Sequence, residues 1–294
     1  MASDPAPRLF AFGLGYSAQV FARRLRARGW RVAGTTRSPE AATAFRAEAV
    51  EAFLFDRERP LTDPAAALAG TTHLLAGIPP DEIGDPALDL HGPEIAACTG
   101  LAWAGYLSTT GVYGDRGGGW VDEDSALEPT SARSEHRVAA ERAWLELQRT
   151  RGLPVHIFRL AGIYGPGRSA LDQARAGTAK RVHKPGQVFG RIHVDDIATV
   201  LEASIARPHP GRAYNLCDDD PAPPAEVVAR ACALIGREPP PLVPFEAAGL
   251  STMARSFYRD NKRVSNRRIK EELGVALAYP DYKAGLAAIL AAGG

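Results

Sequence analysis

Arg133 and Arg137 stand four residues apart in EPTSARSEHRVAAE, Glu128 to Glu141. On a helix that spacing puts both guanidiniums on one face, where they repel unless something anionic lies between or beyond them. Glu141 is one such partner, and the plain alternative is a solvated stripe of Arg133, Arg137 and Glu141 on an exposed face. Neither arginine can act as a base, since a guanidinium keeps its proton at physiological pH.

A second pattern binds rather than reacts. FAFGLGYSA sets Gly13, Gly15 and Ala18 as G-x-G-x-x-A, with Tyr16 and Ser17 between them, directly after a predicted strand and at the opening of a predicted helix. The first glycine allows a tight turn, the second lets backbone approach a pyrophosphate, and the third position needs a small residue for helix packing. That context favours dinucleotide binding over a simple Gly-rich turn. At the end of the second strand, GTTRS offers Thr36, Arg37 and Ser38, with no acid until Glu40. A free ribose 2′-hydroxyl wants a carboxylate there, whereas a 2′-phosphate wants arginine and hydroxyls, so NADP is expected rather than NAD.

These residues need a frame. Short β-rich runs (RLFAFG, WRVAGTT, VEAFLFD, THLLAGI, GYLSTT, PVHIFRL, RIHV, RAYNLC) alternate with helical patterns, which predicts an α/β fold, a doubly wound parallel sheet of seven or eight strands. From Pro221 the chain turns to Pro-rich loops and helices without clear strands. The expected division is a dinucleotide-binding Rossmann domain over 8–166 and 189–217, with a smaller, mainly helical cap from 167–188 and 218–294. The 294 residues carry a net charge of +1, with 45% hydrophobic and 23% charged content, so neither nucleic acid nor an anionic membrane is an expected partner. Cys98, Cys217 and Cys232 are too few and scattered for a disulfide framework. The polar MASDPAPR lead and the lack of an 18-residue apolar run point to a cytoplasmic protein. The oligomeric state stays open, with a homodimer one candidate.

With LSTTGVYGD (Leu107 to Asp115), FRLAGIYGPG (Phe158 to Gly167) and RIHVDDIA (Arg191 to Ala198) in this order, the chain resembles the short-chain dehydrogenase/reductase superfamily. Among its branches it is similar to the extended and atypical NAD-dependent epimerases/dehydratases. The resemblance implies that Thr109 polarises a substrate carbonyl or hydroxyl and that Asp56 contacts adenine. It also implies that the strand end Ala76 to Pro80, with Ala76 and Ile78, borders the nicotinamide ribose. An Asn that supports the proton relay in many members falls near Asp85. The family's general acid/base is a Tyr, with a Lys four residues later. About 24 residues on from Thr109 those positions hold Arg133 and Arg137, so the Tyr-x-x-x-Lys motif is missing there. Arg137 can keep the ribose contact; Arg133 is left as an anion clamp.

Other residues compete for the vacant acid/base role. His136 reads as a surface residue and Tyr113 and Tyr164 as packed motif tyrosines. Tyr258 to Lys262 and Tyr279 to Lys283 have the motif's spacing but lie in the cap and read as coincidence. Thr110 and Gly111 replace the Asp-Glu pair of sugar-nucleotide dehydratases. His193, Asp195 and Asp196 fit helix capping better than a metal. Arg168, Arg175, Lys180, Arg181 and Lys184 face the single acid Asp172, and Arg255 to Lys270 holds seven Lys or Arg against Asp260. That asymmetry suits an anionic small molecule, with solvated loops the alternative. Many epimerases carry an Arg where this chain has Phe189; Arg191 is a candidate replacement. The expected function is an NADP-dependent oxidoreductase or epimerase acting on a polar, anionic carbonyl or hydroxyl compound. The alternative is a catalytically silent NADP-binding sensor.

Overall fold

The computed structural model describes residues 6–293; Met1 to Pro5 of the polar lead lie outside the described residues. The chain divides into two compact units. The first runs to Ser108 and adds Glu135–Arg159 and Val200–Tyr214; the second is Thr109–Ser134, Leu160–Thr199 and Asn215–Gly294. The segments 109–134, 160–166, 189–199 and 215–217, expected in the dinucleotide-binding domain, thus group with the cap segments. Nothing in composition marks those breaks.

The first unit is built on a seven-stranded parallel sheet of β1 (Arg8–Phe12), β2 (Arg31–Thr36), β3 (Glu51–Leu54), β4 (His73–Ala76), β5 (Trp103–Thr109), β6 (Val155–Leu160) and β7 (Ala213–Leu216), in the order β7-β6-β5-β4-β1-β2-β3. The winding direction reverses between β1 and β4, which pair from Leu9 with His73 to Phe12 with Ala76. Ligands of such sheets bind beyond the strand ends at that reversal. β1 is buried throughout and packs Phe10 and Phe12 with Phe55, Leu74 and Tyr106 into the core. RIHV does not join this sheet, because the place beside β6 goes to β7. Among the described residues no helix is long and apolar enough to cross a membrane.

In the second unit short parallel strand pairs stand in for a sheet. Arg191–His193 pairs with Gly162–Tyr164, Leu242–Pro244 with Arg181–His183, and Arg263–Val264 with Trp120–Val121. The last third therefore does contain strands, too short to show an alternating pattern. Its helices Ala170–Arg175, Pro224–Leu234 and Tyr282–Ala291 bury Leu171, Ala231 and Leu286 around Tyr164 and Tyr282.

Candidate functional site

The dinucleotide loop lies at the reversal of the sheet. Gly13 has φ +91°, a backbone region that L side chains rarely enter, and its N–H donates to Thr35 Oγ1 at 2.8 Å. A Cβ there would stand 2.9 Å from Ile78 Cγ1. Gly15 heads the helix Tyr16–Ala27, and a Cβ on it would meet nothing within 4 Å. Among the described residues no side chain caps that helix, no acid sits in its first turn, and the buried Ser17 hydroxyl has no hydrogen-bond partner. Open N–H groups at a helix start attract anions such as a pyrophosphate, so these residues fit a dinucleotide. Ala18 is buried against the core, as its small size requires, and Ala76 is buried at the end of β4.

At the end of β2 the arginine is unengaged. Arg37 is exposed and its guanidinium makes no hydrogen bond or ion pair among the described residues; its C=O accepts from Arg59 Nη2 at 3.0 Å. Thr36 Oγ1 accepts from the Ser38 N–H at 3.3 Å. Ser38 accepts from the Ala41 N–H at 3.1 Å, capping Pro39–Ala47, and donates to Glu40 at 2.6 Å. Asp56 pairs with Arg59 at 2.7 Å, and that contact holds its carboxyl below its ordinary range.

Arg137 does not stand on a solvated stripe. Its Nη1 donates to the Leu107 C=O at 2.7 Å and to Tyr106 Oη at 3.0 Å. Glu141 is no partner to it either: at 1% exposure it lies in the core and pairs with Arg159. The helix Ala132–Arg151 turns Val138, Glu141 and Trp144 inward, a spacing that sequence charge alone obscured. Asp85, placed in the relay by resemblance, caps Pro86–Ala96 by accepting from the Ala87 and Leu88 N–H groups, and its other oxygen accepts from Trp144 Nε1 at 3.1 Å. Burial pushes its carboxyl up.

The second unit contains a cavity of about 970 Å³ lined by Thr109, Arg133, Ser134, Arg191, Tyr258 and Lys262 among others. Thr109 Oγ1 accepts from the Gly111 N–H at 3.1 Å, which leaves its own proton to donate. Ser131 donates to Ser134 at 3.0 Å, adding two hydroxyls that no motif had singled out. Arg133 is exposed, with its guanidinium 5.4 Å from the Phe257 ring centre. Tyr258 and Lys262, read as coincidence, both line this cavity, yet they do not form a pair. Lys262 Nζ donates to the Gly114 C=O at 2.7 Å and to Asp260 at 3.3 Å, and burial pulls its pKa down. The Tyr258 hydroxyl has no hydrogen bond among the described residues, and burial pushes its pKa up. Tyr279 and Lys283 do not line the cavity.

Most of the remaining candidates hold contacts within the fold. Tyr113 is buried and donates to Asn215 at 2.7 Å; Tyr164 donates to the Asp281 C=O at 3.4 Å, and burial raises its pKa. His136 is half-buried. His193 Nδ1 accepts from the Asp195 N–H at 3.2 Å, whereas Asp196 accepts from the Ala278 and Tyr279 N–H groups at 2.8 and 3.0 Å. Asp196 thus ties the Ala278–Tyr279 loop to the start of the helix Val194–Ala206.

Most of the basic asymmetry is also internal. Lys180 donates to the Ala248 and Gly249 carbonyls, Lys184 to the Tyr258 carbonyl, Arg259 to Thr130 and Arg263 to Gly118. Arg268 pairs with Asp124 and Lys270 with Asp219. Asp172, the lone acid of the first stretch, completes a capping box with Ser169. These cations satisfy loop carbonyls and carboxylates, which a charge count along the sequence cannot reveal.

Residues 95–217 match the family described as NAD dependent epimerase/dehydratase. A solved structure of a conserved protein of unknown function from Silicibacter pomeroyi is 52% identical, covers 98% of this chain and 99% of its own, and superposes with a TM-score of 0.89. Protein YeeZ of Escherichia coli strain K12 is 28% identical over 281 residues, 92% of this chain and 95% of that protein. The dTDP-glucose 4,6-dehydratase of Bacillus anthracis, solved in complex with NAD, shares the fold, with a TM-score of 0.75 at 17% identity over 98% of this chain and 96% of its own. The strand and loop motifs from Leu107 to Ala198 fall inside the segment, residues 95–217, that matches the NAD dependent epimerase/dehydratase family.

Proposed function

We propose that the chain is an NADP(H)-binding oxidoreductase or epimerase acting on a polar, anionic carbonyl or hydroxyl compound. The observation that carries the cofactor choice is Arg37: its guanidinium is unengaged at the end of β2, where a 2′-phosphate would be read and where an NAD-specific site would hold a carboxylate. Gly13, Gly15 and the start of Tyr16–Ala27 would hold the pyrophosphate, with Thr36 and Ser38 beside the 2′-phosphate, Asp56 at the adenine, and Ala76 and Ile78 at the nicotinamide ribose. A nicotinamide held there would supply hydride transfer. On the substrate side Thr109 would donate its free proton to a carbonyl or hydroxyl oxygen, and Arg133 would draw an anion to the cavity.

A second reading, an NADP-binding sensor without turnover, is favoured by one observation. Arg137 spends Nη1 on Tyr106 and Leu107, so fewer of its donors remain for a ribose. Fluorescence titration tests the cofactor claim: NADPH should bind at least tenfold more tightly than NADH, and Arg37→Ala should erase the difference. Equal affinities in the native protein would sink it. Screening anionic aldehydes, ketones and sugar phosphates for NADPH oxidation then separates the readings. Turnover abolished by Thr109→Val supports the enzyme, and silence with cofactor still bound supports the sensor.

A further inference from the structure

We propose that the cavity of the second unit selects a small monocarboxylate with an aromatic or branched apolar body, its carboxylate held by Arg191. This assignment rests on the reading of that cavity as the substrate site. Arg191 lines it, and its Nη1 donates to the Phe189 and Ala222 carbonyls at 2.8 and 3.2 Å, which fixes the plane of the guanidinium. Its Nε and Nη2 have no hydrogen bond and the side chain forms no ion pair among the described residues. The Tyr282 ring lies 5.9 Å from the guanidinium carbon, and the Tyr258 and Tyr282 hydroxyls have no hydrogen-bond partner among the described residues. A planar fork of donors, held at one edge and open at the other, matches the two oxygens of a carboxylate.

The charge around Arg191 supports a single negative group. The carboxylate of Asp218 carries no hydrogen bond among the described residues and is only 2% exposed; burial pushes its pKa up to about 8, which favours its neutral form beside Arg191. A phosphate dianion or a diphosphate asks for more than one cation beside Arg191; of the other cations lining the cavity, Lys180 and Lys262 spend their ammonium groups on protein oxygens, and Arg133 and Arg168 are exposed, where they can draw an anion in from solvent. The walls contributed by Phe189, Val227 and Leu286 are apolar and suit a hydrocarbon or ring in place of a hydroxyl-rich sugar.

Calorimetric titration of the full chain, without cofactor, tests this with 3-phenylpropionate, its neutral amide 3-phenylpropionamide, and phenyl phosphate. The carboxylate should bind at least tenfold more tightly than the amide and more tightly than phenyl phosphate. Arg191→Gln should bring acid and amide within twofold, and Arg191→Lys should recover part of the preference. Arg191 also supports two backbone carbonyls, so Val227→Phe serves as the second variant. It narrows the cavity without touching the guanidinium and should weaken both ligands alike. Equal binding of acid and amide by the native protein, or tighter binding of phenyl phosphate, overturns the assignment. NADPH titration of the same samples keeps the two claims apart: carboxylate binding without NADPH binding refutes the cofactor reading alone, and the reverse refutes this one alone.

Discussion

Arg159 grips Glu141 in the core of the first unit, with Nη2 2.8 Å from Oε2 and Nε 3.2 Å from each oxygen. Ser108 donates a 2.5 Å hydrogen bond to the same carboxylate. Three elements, β5, β6 and the helix Ala132–Arg151, are thereby joined at one buried charge pair. Ser108 is the residue before Thr109, so the pair also fixes the end of β5 at which Thr109 stands.

Removing one member strands the other charge in the core. Glu141→Ala should cost about 3–5 kcal/mol, and the double change Glu141→Leu with Arg159→Met should recover most of that loss. Urea unfolding of the three proteins measures it. A single substitution costing under about 1 kcal/mol would show that the pair is solvated in solution.

The two glycines of the loop should separate fold from binding. Gly13→Ala forces a side chain into φ +91° and against Ile78, and should lower stability by about 1–3 kcal/mol. Gly15 has φ −80° and open space where a Cβ would go, so Gly15→Ala should cost no more than about 1 kcal/mol. It should nonetheless weaken NADPH binding tenfold or more, because the new methyl occupies the approach to the pyrophosphate. Thermal melts beside cofactor titrations decide this; unchanged affinity in Gly15→Ala would remove the loop from the cofactor site.

Stability should fall with rising pH through Asp218. Its folded pKa, about 8, lies above the ordinary 3.8, so the folded state keeps a proton that the unfolded chain has released between about pH 4 and 8. The contribution is complete below about pH 4 and is lost as pH climbs to about 8. Arg191 and Asp220 are the nearby charges, the first opposing the rise and the second adding to it. Asp218→Asn lacks this titration, and its stability relative to the native protein should increase with pH by up to about 1.4 kcal/mol per unit. Guanidinium unfolding at pH 5, 6.5 and 8 checks the trend, and a pH-independent difference would refute it.

The sequence by itself determined the parallel sheet, the glycine turn with its helix and the arginine, with no acid beside it, after β2. Each rests on local chemistry: strand and helix periods, one residue with positive φ, and the absence of an acid at one position. It also set Arg133 and Arg137 four residues apart on one helix. Only the tertiary structure decided what those charges do, because a guanidinium's partner comes from elsewhere in the chain. Glu141 read as a surface acid four residues from Arg137 and instead pairs with Arg159 in the core. Lys180, Lys184, Arg259 and Arg263 read as a basic ligand surface and instead donate to carbonyls of distant loops. Tyr258 and Lys262 kept a familiar spacing, yet folding set both in the cavity of the second unit without joining them. Spacing along a chain fixes neighbours only within a helix or strand; beyond that, burial and hydrogen-bond satisfaction choose the partners.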